Sequence, residues 1–232
     1  VLLRNCLNRP VRGAGRALAI GYNGPEDNKL EHAELEAQLV AQMVGGEHRT
    51  GIDSKSQELI AAGGELRWLH IAGHAIYDHE IAYTFGLQLG LNDILDATTV
   101  MRDLKLRTDL VTLSSCMSGF SRVVSGDELF GLQRAFLYAG TPTVVCTLAK
   151  TRDTVAMLVM EQFYTYLRQG TTAAQALRNA LIAVRTMRRN DVNLALVRFG
   201  YGALPDTVHS QDNDCPFDKP EYWAPFVLIG RP

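Results

Sequence analysis

Short apolar runs alternate along this chain with longer segments of helical period, and that alternation limits the fold more than any other feature. The segment from Arg16 to Tyr22 is a short apolar run closed by the turn signal Asn23-Gly24-Pro25. Apolar or small positions then recur at helical spacing from Leu30 to Val44, and Gly45-Gly46 stops them. Residues Ile52 to Ala62 form a weaker helical stretch. Further strand-like runs are Arg67 to Gly73, Phe85 to Gly90, Leu110 to Ser114 and Thr143 to Thr147. All are short and apolar, as strands covered on both faces must be. Strands alternating with helices predict a mostly parallel sheet with helices on both faces, a three-layer α/β/α sandwich.

The second half carries the clearest helix signals. Ser125-Gly-Asp-Glu128 reads as a capping box opening a helix that buries Leu129, Leu132, Ala135, Phe136 and Ala139. A second helix is predicted from Asp153 to Gln169, with Val155, Leu158, Val159 and Phe163 on one stripe. Thr172 and Gln175 form another capping box before a helix burying Ala176, Leu177, Ala180 and Val184. Residues 190–220 are polar and turn-rich and are expected to be an excursion loop. Tyr222 to Gly230 reads as a last strand, and Pro225 places it at an edge or at its own start.

With 232 residues the chain is one large domain or two small ones. No linker divides it, so a single domain over 1–232 is expected. Twenty-three Lys and Arg stand against 25 Asp and Glu, a net charge of -2. That lacks the basic surplus of a protein living on phosphate contacts, so nucleic acid is not the expected partner. No apolar run approaches the ~18 residues of a membrane span. Four cysteines, Cys6, Cys116, Cys146 and Cys215, are too sparse for a disulfide scaffold and are expected to be reduced, as in a cytoplasmic compartment. The chain begins at Val1, and is expected to be the C-terminal part of a longer protein.

In sheets of this kind the ligand site lies beyond the carboxyl ends of the strands. Two candidate reactive residues sit there. His74 follows the run ending in Ala72-Gly73, and Cys116 follows Leu113-Ser114-Ser115. A thiol needs a base within hydrogen-bond reach to attack a carbonyl as thiolate. An imidazole is the natural base, and afterwards the acid for the leaving amine. Small neighbours (Gly73, Ala75, Ser115, Gly119) leave room for a substrate backbone.

Other readings of the same residues are weaker. His70 and His74 invite a metal, but strand side chains four steps apart spread ~13 Å, too far for one ion. No metal is therefore expected, and His70 is read as a core or supporting histidine. Asp78, His79 and Glu80 read as a solvated loop. Gly13-Ala-Gly15 precedes a strand and lacks the third glycine of a dinucleotide loop. Cys146 lies inside an apolar run and reads as inert core. Arg185, Arg188 and Arg189 crowd a helix end, where cations interact well with the helix dipole; a docking surface is the other reading.

Three blocks together resemble a known family. They are His70-Ile-Ala-Gly-His-Ala75, Asp109-Leu-Val-Thr-Leu-Ser-Ser-Cys-Met-Ser-Gly119 and Gly131-Leu-Gln-Arg-Ala-Phe-Leu-Tyr-Ala-Gly-Thr-Pro-Thr-Val-Val145. With the final run from Tyr222 to Gly230 and the early helix carrying Glu34 and Glu36, the chain resembles the CHAT peptidases, caspase-like domains related to separase. The resemblance covers about residues 15 to 230 and implies the caspase-haemoglobinase type of α/β/α sandwich. It also implies that His74 is the catalytic base and Cys116 the nucleophile. The backbone N–H groups of Ala75 and Cys116 would be the oxyanion donors. Ser114 and Asp153 would line the substrate pocket; the other reading of Asp153 is a helix N-terminal acid.

Two departures stand out. Ala75 replaces a common glycine, which an N–H donor tolerates. Thr147 to Asp153 lacks a tryptophan common after that strand. The implied activity is cysteine endopeptidase action on a protein or peptide substrate, without cofactor. The implied setting is bacterial signalling or defence, with an N-terminal sensor or repeat domain. A catalytically idle interaction module and a small-molecule thiol amidase are the competing readings.

Overall fold

The computed structural model describes residues 15–53, 55–78, 84–115, 122–124, 128–200, 202–204 and 214–232. Its centre is a six-stranded sheet of β1 (Arg16–Gly21), β2 (Glu47–Arg49), β3 (Leu66–Ala72), β7 (Leu110–Ser114), β10 (Thr143–Thr147) and β11 (Phe226–Gly230). The order across the sheet is β11-β10-β7-β3-β1-β2. Every pairing is parallel except β10 with β11. The predicted mixed α/β architecture with a mostly parallel sheet is therefore what the chain adopts.

Helices cover both faces. One face packs α1 (Ala33–Val44), α5 (Asp153–Arg168), α6 (Ala173–Thr186) and α7 (Arg189–Arg198) around Val40, Leu158, Phe163, Ala180 and Val192. The opposite face packs α2 (Ser56–Ala62), α3 (Ala97–Asp103) and α4 (Leu132–Ala139) around Leu59, Val100 and Phe136. Residues of β7 alternate between these cores, Leu110 on one and Val111 and Leu113 on the other, as the two-residue strand period requires.

A second, three-stranded antiparallel sheet of β4 (Ala75–Asp78), β5 (Thr84–Gly90) and β6 (Asp93–Asp96) follows directly from β3. The run Phe85 to Gly90 is thus a strand, but of this outlying sheet. Lys55 anchors it. Its buried Nζ donates to the carbonyls of Gly51, Asp53 and Leu89 at 2.6 to 2.8 Å.

Three expectations need correction. Glu128 to Phe130 forms a strand, β9, paired with β8 (Arg122–Val124), so the helix there begins at Leu132. The β9 backbone competes successfully with a capping pattern, and most of that pattern (Ser125 to Asp127) lies outside the described residues. Within 190–220, residues 190–198 belong to the helix Arg189–Arg198, because Val192, Ala195 and Leu196 recur at helical spacing and bury one face. The final strand starts at Phe226, since Pro220 opens the single helical turn α8 (Pro220–Trp223).

The capping box of α6 is present. Gln175 N–H donates to Thr172 Oγ1 at 3.3 Å and Thr172 N–H donates to Gln175 Oε1 at 3.1 Å. Thr172→Ala is expected to cost about 1 kcal/mol in chemical denaturation, the usual worth of such a cap.

Beneath α1 and α5 lies a buried polar chain. Tyr164 Oη donates to Thr112 Oγ1 at 3.0 Å and sits 3.3 Å from His70 Nδ1. His70 Nε2 in turn is 2.9 Å from Glu36 Oε1. Burial pushes the Tyr164 hydroxyl up, so it stays protonated and can donate. These contacts tie both helices to β3 and β7, the two strands that the candidate reactive residues follow in sequence. His70 is a supporting residue of the core, as expected.

Candidate active site

The site lies where β3, β7 and β10 end. Ala72 pairs with Ser114 across β3 and β7. Gly73 N–H donates to Ser114 O at 3.3 Å, and Thr147 Oγ1 donates to Ser115 O at 2.7 Å. The three tips are therefore held together by hydrogen bonds. His74 stands two residues beyond Ala72, and Cys116 stands two residues beyond Ser114. Cys116 itself lies outside the described residues. So its distance to His74 is not part of the described geometry, and the same holds for its expected oxyanion N–H.

His74 is held by the loop between β1 and α1. Its Nε2 lies 2.7 Å from the carbonyl oxygen of Asn28. A carbonyl only accepts, so Nε2 carries the proton, and in the neutral ring Nδ1 is left as the basic atom. The ring also packs on Gly24, whose φ is +88°; a Cβ there would stand 2.6 Å from His74 Nε2.

That loop is itself pinned. Glu34 N–H donates to Asn23 Oδ1 at 2.9 Å while Asn23 N–H donates to Glu34 Oε1 at 3.4 Å. Leu30 N–H donates to Asn23 O at 2.6 Å. Asn23-Gly24-Pro25 is legible in the sequence as a turn, but not as part of the site. A carbonyl has no residue signature, so nothing in the pattern could single out Asn28.

Ala75 begins β4 opposite Leu87. Gln88 N–H donates to His74 O at 2.9 Å, so Ala75 and Leu87 form a non-hydrogen-bonded pair. The Ala75 N–H consequently points away from β5, toward the outer edge of β4.

Asp153 opens α5. Its Oδ2 accepts N–H bonds from Glu31 at 2.8 Å and His32 at 2.7 Å. Burial, reinforced by the nearby Glu36 carboxylate, pushes the Asp153 carboxyl up; the His32 ring and the two N–H donors pull the other way. Asp153 also lines a small pocket of about 30 Å3 together with Leu30, Gly73, Ser114, Ser115 and Thr147. Asp153 is a first-turn acid of α5, as one of its two readings expects, and its Oδ2 also secures the entry to α1, a contact neither reading includes.

Asp153→Asn keeps an acceptor for the two N–H groups and removes the titration. A raised folded pKa means that the wild type holds this proton more tightly folded than unfolded. The associated stability is present below the ordinary carboxylate range, about pH 4, and is lost as pH rises through the folded value. The variant is expected to gain stability relative to wild type between pH 4 and 7, measured by urea denaturation at stepped pH.

Cys146 is buried in β10, and burial pushes its thiol up to about 12, so it is inert. Cys215 is half-buried, its Sγ donating to Thr186 O at 3.4 Å. Among the described residues no three His, Cys, Asp or Glu converge as a metal site, and no helix is long and apolar enough to cross a membrane.

The family model for the CHAT domain matches residues 2–231. The chain belongs to the CHAT domain family. Mouse tetratricopeptide repeat protein 28 is 28% identical over 140 residues, 60% of this CHAT domain and 5% of that protein. The human protein of the same name is 27% identical over 140 residues. The domain thus spans a small fraction of these curated relatives. Among solved structures, the Arg-specific cysteine proteinase gingipain R superposes with a TM-score of 0.58 at 14% identity, over 94% of this chain and 46% of that one. Separase in the Saccharomyces cerevisiae separase-securin complex gives 0.57 at 12% identity, over 100% of this chain and 13% of that one. The CHAT domain therefore has a fold shared with cysteine peptidases, of the caspase-haemoglobinase type.

Proposed function

We propose that this CHAT domain is a cysteine endopeptidase in which Cys116 and His74 act as a dyad. The observation carrying the reading is the register of β3 and β7. Ala72 and Ser114 are paired, and each candidate residue follows its partner strand by the same two positions. Adjacent parallel strands lie ~4.8 Å apart, and equal offsets past a paired position support a reading in which thiol and imidazole meet at this end of the sheet.

The reaction follows from the groups at hand. His74 Nδ1 takes the Cys116 proton, and the thiolate attacks a peptide carbonyl. The N–H of Ala75, aimed away from β5, and that of Cys116 receive the developing oxyanion. The imidazolium returns its proton to the departing amine as the thioester forms, and water activated by His74 releases the acyl product. The Asn28 carbonyl keeps the Nε2 proton in place and steadies the imidazolium, so no third side chain is needed. Ser114 and Asp153 border the substrate. The substrate is a protein or peptide, and no cofactor enters.

The likeness to tetratricopeptide repeat proteins supports a domain that works attached to a repeat region, from which an activating signal arrives. Incubation with a peptide library, read by mass spectrometry for new termini, tests the activity. Cleavage that disappears with Cys116→Ala supports the peptidase. Unchanged cleavage by that variant contradicts it, and hydrolysis confined to non-peptide amides favours a small-molecule amidase.

A further inference from the structure

The two edges of the central sheet are built differently. β2 is three residues long and charged, Glu47-His48-Arg49, with Arg49 bound to Glu47 and Glu58. Such an edge resists further pairing. β11 is five residues long and reads Phe226-Val-Leu-Ile-Gly230, with no charge, proline or bulge inside it.

Its outer hydrogen-bonding groups can be assigned. Leu148 N–H donates to Pro225 O and Arg231 N–H donates to Pro142 O, at 2.9 Å each. With Thr143 opposite Gly230 and Thr147 opposite Phe226, these bonds flank non-hydrogen-bonded pairs. Phe226, Leu228 and Gly230 therefore turn their N–H and C=O groups outward, and no described strand takes them up.

Beside this edge runs a groove of about 420 Å3 between α6, α8 and β11. Leu181, Ile182, Trp223 and Leu228 give it apolar walls, and Ile182 is 44% exposed. Two arginines on the same stripe of α6 flank it, Arg178 and Arg185. Arg185 lies over the Trp223 ring at 5.5 Å, and neither arginine meets a carboxylate among the described residues. Seven helical positions separate them, ~10.5 Å along the axis. Same-face residues four apart on a strand span ~13.6 Å, a difference that two long arginine side chains absorb.

We infer that β11 and this groove bind an extended acidic partner segment, which adds a strand to the sheet. Its pattern is acidic-x-apolar-x-acidic. The central apolar side chain enters the groove, and the flanking carboxylates meet Arg178 and Arg185. The backbone pairs with Phe226, Leu228 and Gly230, which is strand addition in its usual form. A second copy of this chain fits less well, because it would bring its own Arg178 and Arg185 to the same place. The inference does not depend on the cysteine chemistry.

The probe is a capped, fluorescently labelled peptide of sequence Gly-Asp-Val-Leu-Val-Asp-Gly, compared with the peptide carrying Lys for both Asp. Anisotropy is expected to show binding about tenfold tighter for the acidic peptide at low salt, two modest charge pairs being worth that much. The double variant Arg178→Glu, Arg185→Glu, with unchanged circular dichroism, is expected to reverse the preference. Amide exchange at Phe226, Leu228 and Gly230 is expected to slow with the acidic peptide. No binding, equal binding of the two peptides, or no slowing at these amides overturns the proposal. So does concentration-dependent self-association that protects the same amides without peptide.

Discussion

Cys116→Ala and His74→Ala are each expected to lower kcat/KM of the activated protein by about four orders of magnitude. The double variant is expected to be no worse than either alone. The non-additivity follows from the mechanism. Without the thiol there is nothing for the imidazole to deprotonate, and without the base the thiol at neutral pH is mostly unreactive. Progress curves on one cleaved peptide, with the three variants at equal concentration, measure it. Multiplying losses would mean that the two residues act separately, and substantial turnover by Cys116→Ala would place the nucleophile elsewhere.

Gly24→Ala is expected to cost about two orders of magnitude in kcat/KM, because a misplacement of about 1 Å at a reacting group can cost about 100-fold. The new methyl group would stand 2.6 Å from His74 Nε2, inside contact distance, so the ring must leave the Asn28 carbonyl. The φ of +88° adds backbone strain for any residue with a Cβ. Gly45→Ala separates the two effects. Gly45 has a comparable φ of +66°, and a Cβ there meets nothing within 4 Å. Gly24→Ala is expected to lose at least as much stability in thermal melts as Gly45→Ala, with activity falling steeply in Gly24→Ala alone. Equal activities would remove the β1–α1 loop from the catalytic geometry.

Five of the six central strands were readable because each is short, apolar and bounded by turn residues; β2, three charged residues, was not, and Pro225, read as marking an edge or a strand start, directly precedes β11. The antiparallel side sheet was not readable. Its strands β4 and β6 are four residues each and carry acids, so no period emerges from them. The helix expected from Ser125 yields to β9 because a capping pattern is local and strand pairing is not. At the site, His74 stood out as a reactive side chain past a strand tip. Its fixed orientation did not, because the acceptor is a peptide carbonyl and the spacer is a glycine. The position of Asp153 was read as either pocket acid or helix-terminal acid. Its bonds to the amides of Glu31 and His32 span 121 to 122 positions, and such separations leave no local pattern. The Glu36–His70 contact inside the core is another pairing that no periodicity announces.

The pairing of Cys116 with His74 can be tested without substrate or activating partner, by the pH dependence of Cys116 alkylation with iodoacetamide, followed by mass spectrometry. In the wild type, Cys116 is expected to react well below the ordinary thiol range, keeping most of its rate at pH 6.5. In His74→Ala the rate at that pH is expected to fall at least about tenfold and to follow an ordinary thiol near 8.5. Superimposable profiles for the two proteins would contradict the dyad.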